Sequence, residues 1–449
     1  MKKPVAPPAP WGEMMSTIEP ARLVRSVLTN PAVRPTVDGR YRHWTTLRHL
    51  EPPAGLSREE WWVGIKFARA QISQALPLID TRGQPFTVAT PGVLSQLLQQ
   101  VDQDASGQIT ISEQVTNPAI RNSYLVSSLF EEAITSSQLE GASTSRRVAK
   151  EMLRTGRPPR TKSEQMILNN YGAMNFVREH RTEPLTPDLV LTLHRLVTEQ
   201  TLERPEAAGR LQTPDEDRIG VYDELGELLH DPPPAGELEE RLAAMCAFAN
   251  ADPDGDDDYL HPVARSVIVH FWLAYDHPFE DGNGRTARAL FYWSMLHRGH
   301  WLTEFLTISS ILKRAPAKYA RSFLYSEWDD GDLTYFVLYQ LAVIHRAIDG
   351  LKSYLRRKMA ELRETEALLR QADLNHRQVA LLGHALRTPG ATYTFKSHAR
   401  SHDVAYQSAR NDLLDLEQRG LFHRRRAGRA HVFVPTDDLA ARLGPGEVS

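Results

Sequence analysis

Residues 277–288 read His-Pro-Phe-Glu-Asp-Gly-Asn-Gly-Arg-Thr-Ala-Arg, and no other stretch narrows as far what this chain can fold into. The order suits a strand-free turn running into the start of a helix, with a predicted helix over 262–275 feeding directly into His277. Glycines let successive backbone N–H groups converge on an anion, and a helix N-terminus adds positive potential at the same point. Arg285 and Arg288, three apart, share a helical face and can both reach a polyphosphate. Asp281 offers a hard oxygen ligand for Mg²⁺, which usually arrives with phosphates and is rarely caged by protein alone. His277 is the group in the set that exchanges a proton near neutral pH. Together these residues describe a nucleotide site with its own base.

The string resembles the signature HxFx[D/E]GNGRxxR of the Fic family at every fixed position. That resemblance implies transfer of AMP from ATP, as co-substrate, to a hydroxyl of a target protein. It makes His277 the base that deprotonates the target Ser, Thr or Tyr, and Asp281 the ligand for Mg²⁺ between the α- and β-phosphates. The amides of Gly282, Asn283 and Gly284, with the Asn283 side chain, would cradle the phosphates. Arg285 would meet the β-phosphate and Arg288 the γ-phosphate, while Phe279 is buried and anchors the loop.

Upstream, Ala133-Ile134-Thr135-Ser136-Ser137-Gln138-Leu139-Glu140-Gly141 is similar to the [S/T]xxxE[G/N] pattern of the family's inhibitory helix. Ser136 and Glu140 are four apart and lie on one helical face. The resemblance implies that Glu140 pairs with Arg288 and takes the arginine meant for the γ-phosphate, with Gly141 closing the motif. A bound triphosphate would then be misplaced, and phosphoryl chemistry depends on placement. Because the motif precedes the loop, the chain resembles the class whose inhibitory helix is N-terminal to the core, and resting activity is expected to be low.

At 449 residues the chain is too long for one ordinary core, and two to four domains are expected. A hydrophobic share of 41% and a charged share of 24% are those of a globular protein. A net charge of −3 gives no general reason to invoke nucleic acid. The single cysteine, Cys246, excludes a disulfide within the chain and is expected as a small buried side chain. The opening Met1–Pro10 is basic and Pro-rich without an apolar core, so a signal peptide is not expected. No stretch approaches the roughly 18 continuous apolar residues of a membrane helix. A cytoplasmic protein with no membrane contact is the default expectation. Rossmann GxGxxG, P-loop GxxxxGK[ST], HExxH and paired CxxC motifs are all missing from the sequence, so those enzyme classes have no support.

The fold expected is mainly α: a Fic-type helical bundle with a small β-hairpin flap, plus a C-terminal winged helix-turn-helix domain. The boundaries expected are an N-terminal region over 1–120, an inhibitory helix and first core helices over 121–182, and a catalytic domain over 183–345. A helical linker over 346–373 and a winged-helix-like domain over 374–449 complete the chain. Helices are predicted over 124–142, over 184–201 with Thr186 as N-cap and Pro187 first, and over 237–250. Arg218-Ile219-Gly220-Val221-Tyr222 and Glu227–His230 read as a short hairpin. The resemblance makes residues 218–222 part of the flap that docks a target segment by strand pairing.

Residues 102–113 match the ligand spacing of an EF-hand loop. Asn117-Pro118 interrupts the helix that should follow, and no second loop pairs with it, so calcium binding is disfavoured. The acidic run 252–258 reads as a solvated loop. From Leu374 onward there are 11 Arg and Lys against 7 Asp and Glu, and the order of helices and a final Arg-rich hairpin resembles a winged helix-turn-helix. Tyr406, Gln407, Ser408, Arg410 and Asn411 would begin its recognition helix, with Arg424–Arg426 in the wing. Asp403, Asp412 and Asp415 on that helix would repel phosphates, which favours dimerisation or protein docking over DNA contact. Two readings follow: a self-restrained protein adenylyltransferase acting on a hydroxyl-bearing target or on itself, and a DNA-binding regulator that senses nucleotide. Removal of AMP, or transfer of another nucleotide, stays open because the loop reads phosphates and not the base.

Overall fold

In the computed structural model the chain is described over residues 3–106, 118–222, 225–252, 259–371, 374–387, 391–402, 404–427 and 430–443. It divides into two units, Met1–Asp349 and Gly350–Ser449. Among the described residues no helix is long and apolar enough to cross a membrane.

After four short helical segments before residue 48, the first unit forms helix α1 (Arg58–Ala70), set by a capping box in which Ser57 accepts the Glu60 N–H and Glu60 accepts the Ser57 N–H. A hairpin follows, β1 (Ser73–Ile79) against β2 (Pro85–Ala89), paired Ser73 to Ala89 and Gln74 to Val88. This hairpin was not expected from the sequence: Pro77 sits in β1, although residues 75–78 alternate exposed and buried as a strand does. Then come α2 (Gly92–Ala105), α3 (Pro118–Leu139), α4 (Arg146–Thr155), α5 (Lys162–Glu179) and α6 (Pro187–Thr198). Thr186 caps α6 through the Leu189 N–H at 3.2 Å, with Pro187 in first place as expected. Asp102 and Asp104 are helical residues of α2, and Asp102 pairs with His300 at 2.7 Å instead of opening a calcium loop. Residues 107–117 of that motif, like 253–258 of the acidic run, lie outside the described residues.

The flap is smaller than expected. Strand β3 (Val221–Tyr222) pairs with β4 (Leu228–His230), and Arg218, Ile219 and Gly220 precede the strand. After α7 (Leu238–Asn250) come the two central helices, α8 (Pro262–Asp276) and α9 (Asn283–His297). These pack on each other and are buried along nearly their whole length, α9 with its polar site residues included. Helices α5 and α6 cover α9, and α3 lies across α5. An aromatic cluster of Phe271, Phe323 and Phe336, with centroids 4.5–5.3 Å apart, seals α8 against α11 (Pro316–Glu327) and the start of α12 (Thr334–Gln371). Between α9 and α11 lies the short α10 (Ile308–Arg314). Cys246 is buried in α7, and burial pushes its thiol up to about 12, so it is an inert core residue.

The second unit holds α13 (His376–Arg387), α14 (Phe395–His402), α15 (Tyr406–Gln418) and the hairpin β5 (Phe422–Ala427) with β6 (Ala430–Pro435). Its core gathers Leu382, Leu413, Leu416, Phe422 and Phe433. Asp412 is buried and bound to Arg377 at 2.7 Å and His398 at 3.1 Å, so it anchors α15 to this core and does not face outward as expected. Asp403 lies outside the described residues.

Candidate active site

Helix α8 ends at His277, whose φ of 45° is left-handed, and α9 begins after Gly282 at φ 87°. A side chain at 282 would also meet Thr198 at 2.6 Å, so glycine is required there twice over. The six residues between the helices form a compact loop. The Asn283 side-chain amide donates to the Phe279 carbonyl at 2.8 Å, and its oxygen accepts the Phe279 N–H at 3.0 Å. That two-way clamp corrects the expectation for Asn283: its side chain closes the loop and is not turned to a phosphate. Phe279 is fully buried, as expected, and stacks on His194 with centroids 3.7 Å apart.

His194, on α6, was missed in the sequence because a stripe of leucines surrounds it. It accepts the Gly209 N–H at Nδ1 (3.0 Å), so its proton is on Nε2, which donates to the Asp281 carbonyl at 2.9 Å. Burial lowers its pKa to about 4, keeping the ring neutral. Arg218 is likewise turned inward. It donates to the carbonyls of Asp276 (2.7 Å) and His277 (3.2 Å), so it fixes the loop entrance and is not a docking residue of the flap. The Pro278 carbonyl accepts the Gln212 N–H at 2.9 Å, and Arg204 holds Glu280 at 2.7 Å from outside.

Burial pushes the His277 imidazole down to about 4, and the cationic side chains of His230 and Arg218 push the same way. The ring is therefore neutral at physiological pH and free to accept a proton. His230, at the end of β4, binds Glu327 at 2.7 Å and the Tyr275 carbonyl at 2.7 Å. Burial works against its charge, but Glu327 more than offsets this and its pKa is raised. The flap is thereby tied to the end of α8. Asp276 is pushed up to about 6 by burial despite Arg241 at 2.8 Å.

The two arginines of the loop helix differ. Arg285 is fully buried and donates to the Val197 carbonyl at 2.9 Å, with Asp281 Oδ2 3.4 Å from its Nη2. Its Nε and Nη2 make no hydrogen bond, an arrangement that buried donors rarely tolerate. Arg288 is saturated: Nε donates to Ser136 Oγ at 2.9 Å, Nη2 to the Ser136 carbonyl at 3.0 Å, and Nη1 lies 3.0 Å from Glu140 Oε1. Burial opposes its charge, yet Glu140 outweighs that and the pKa is raised. The Glu140 carboxylate lies over the first turn of α9, where a Cβ on Gly284 would come within 2.3 Å of Oε1. Gly141, at φ 90°, ends the α3 segment just past Glu140.

Glu132, one turn before Ser136, also went unnoticed, although Glu132, Ser136 and Glu140 repeat every fourth residue. It is buried and accepts from both the backbone N–H (3.1 Å) and the hydroxyl of Ser309, which ties α3 to α10. Asp281 is half exposed, and its Oδ1 accepts the Gly282 N–H. No cluster of three or more metal-ligating side chains occurs among the described residues.

A helix ending in a left-handed histidine, a glycine-capped helix start and a glutamate from an earlier helix closing on its arginine form one constellation around 277–288. Residues 184–295 match the Fic/DOC family. That segment is a Fic/DOC domain. It is 32% identical over 126 residues to the protein adenylyltransferase Fic of Nematostella vectensis, spanning 28% of this chain and 26% of that protein. It is 34% identical over 123 residues to the protein adenylyltransferase fic-1 of Caenorhabditis briggsae, spanning 27% of this chain and 21% of that protein. The match thus covers about a quarter of the length of these Fic relatives. A Fic family protein from Desulfovibrio desulfuricans G20 shares the fold with TM-score 0.52 at 17% identity, over 78% of this chain and 97% of that one.

Proposed function

We propose that this Fic protein is a protein adenylyltransferase in a self-restrained state, transferring AMP from ATP to a Ser, Thr or Tyr hydroxyl of a target protein. The observation that carries this reading is the contrast between its arginines: Arg288 is closed by Ser136 and Glu140, while buried Arg285 keeps its Nε without an acceptor and its Nη2 only in a 3.4 Å ion pair with half-exposed Asp281. The neutral His277 takes the proton from the target hydroxyl. The hydroxyl oxygen then bonds to the α-phosphorus, the bond from that phosphorus to the bridging oxygen breaks, and pyrophosphate leaves. The N-terminal amides of α9 and Arg285 would hold the phosphates in line.

One half-exposed carboxylate beside this anion site suits Mg²⁺, which a single Asp281 would hold with phosphate oxygens and which would neutralise phosphate charge. With Glu140 on Arg288, the γ-phosphate has no arginine and the α-phosphate is turned from the incoming oxygen. Removing Glu140 should therefore switch the protein on. Self-labelling from ATP labelled at the α-phosphate should rise in Glu140→Gly, and mass spectrometry of a cell extract treated with that variant should identify the target. Labelling no greater than in the unaltered protein would sink the reading.

A second reading rests on the C-terminal unit. Tyr406, Gln407, Arg410 and Asn411 are exposed at the start of α15, and Arg424–Arg426 are exposed on β5. With Asp412 buried, one of the repulsive charges is withdrawn, which supports a winged-helix DNA contact more than the sequence does. Retention of genomic fragments in a gel shift, weakened by salt and lost when all three arginines become Ala, tests it.

A further inference from the structure

We propose that a cavity remote from the catalytic loop, between residues 40–46 and helices α11 and α12, binds a small phosphate ester carrying a planar ring, the chemistry of a mononucleotide. The cavity measures about 360 Å³, within the range of small-molecule sites, and none of residues 277–288 lines it.

Its walls carry Arg40, Arg42, Lys318 and Arg321, and no carboxylate is among the lining residues. Arg42 also reaches the exposed Asp38 at 3.3 Å, outside the cavity. Four cations around one concave space focus positive potential, and guanidinium groups suit phosphate oxygens in pairs. The same cavity is faced by aromatic rings. Tyr325 stacks on His43 with centroids 4.4 Å apart at 17°, Tyr335 stands edge-on to His43 at 5.4 Å, and Tyr339 adds a further ring. Cations together with flat π surfaces select an anion that brings its own ring, where a bare anion would use the cations alone.

His43 lines the same cavity and carries an unmatched donor. The Thr45 N–H donates to its Nδ1 at 3.1 Å, so the neutral ring holds its proton on Nε2. His43 is only 3% exposed, and that Nε2 has no partner. Nε2 is itself sealed from the cavity, so the four cations and the tyrosine rings carry the proposal.

Photolabelling of the full-length protein with 8-azidoadenosine 5′-monophosphate, followed by peptide mapping, tests this. Label is expected in peptides covering 40–46 or 318–339. Excess AMP should compete it away, and equal inorganic phosphate should compete at least tenfold less well. Arg321→Ala and Thr46→Trp, the second filling the mouth, should each cut that label about tenfold while leaving label at 277–288. Unfolding temperatures measured without ligand show whether either variant is misfolded. If one is, the wild-type map and the phosphate competition decide alone. Label confined to 277–288, label indifferent to both folded variants, or inorganic phosphate competing as well as AMP would each overturn the proposal. None of these outcomes depends on AMP transfer, so the cavity and the catalytic reading fail separately.

Discussion

On the proposed reading the loop at 277–288 and the hairpin at 218–230 serve the same chemistry, and they are built in opposite ways. The loop is fixed from all sides: Asn283 clamps it, His194 and Arg218 hold its carbonyls, and Phe279 is sunk beneath it. The flap has five strand residues and leaves Ile219, Tyr222, Leu225 and Leu228 exposed, with Leu225 at 83%. Among the described residues it is tied down at its two ends, by Arg218 on the Asp276 and His277 carbonyls and by His230 on Glu327 and the Tyr275 carbonyl. Reactions that depend on placement need the first kind of construction, and docking of varied chains suits the second. A change in the loop should therefore alter the rate of transfer with any client, and a change in the flap should alter which client is used and how well.

The sharpest break of that contrast is at the base. In a Glu140→Gly background, His277→Ala should lower self-labelling by about 10²- to 10⁴-fold, the contribution of a placed general base. Equal labelling in the two variants would remove His277 from the reaction. Glu140→Gly itself should raise labelling by about ten- to a hundredfold, the scale of a switching contact of roughly 1–3 kcal/mol.

The pH dependence separates a buried base from an ordinary one. Only the neutral imidazole accepts a proton, so activity is lost as pH falls through its pKa. Burial has moved the His277 pKa from about 6.5 to about 4. In the Glu140→Gly variant, kcat/KM should hold nearly level from pH 7 to 5, where an ordinary histidine would lose about thirtyfold. An acid limb near 6.5 would mean that the loop does not shield the ring as described.

Gly284 offers a way to move Glu140 without deleting it. A methyl at 284 would meet Oε1 at 2.3 Å and Arg288 Nη1 at 3.1 Å. Gly284→Ala should expel the carboxylate and raise self-labelling several-fold, less than Glu140→Gly because the methyl also crowds Arg288. Added to Glu140→Gly it should give no further rise. A further rise would place the restraint somewhere other than this contact.

What the sequence disclosed follows the same division. The loop was readable because its chemistry is carried by neighbours, with turn glycines, paired arginines and histidine inside twelve residues. The helices around it were readable from their caps and periodicity: Thr186 and Pro187 start α6, whereas the α3 helix expected to run to 142 stops at Leu139. Residues that act over long separations were not. Arg218 reaches carbonyls 58 and 59 positions away, and nothing near it in the chain distinguishes that from a flap arginine. His194 was hidden in a leucine stripe because its partners, Gly209 and Asp281, come later. The resemblance assigns the Asn283 side chain to phosphate, yet its own loop backbone is the nearer partner. The β1–β2 hairpin escaped because Pro77 interrupts the pattern that marks a strand.

The flap gives the smallest and most selective effect. Tyr222 is 60% exposed and, among the described residues, its strand pairs with β4, so its side chain contributes little to the fold. In the Glu140→Gly background, Tyr222→Ala with Leu225→Ala should raise KM for a protein client about three- to tenfold, the loss of one or two docking side chains. kcat should stay within about twofold, because His230 still ties the strand to α8 and the base is untouched. KM for ATP, bound by the loop, should not move. A fall in kcat, or a shift in the KM for ATP, would mean that the flap helps to place the reacting groups, and the division between a rigid loop and a permissive edge would no longer hold.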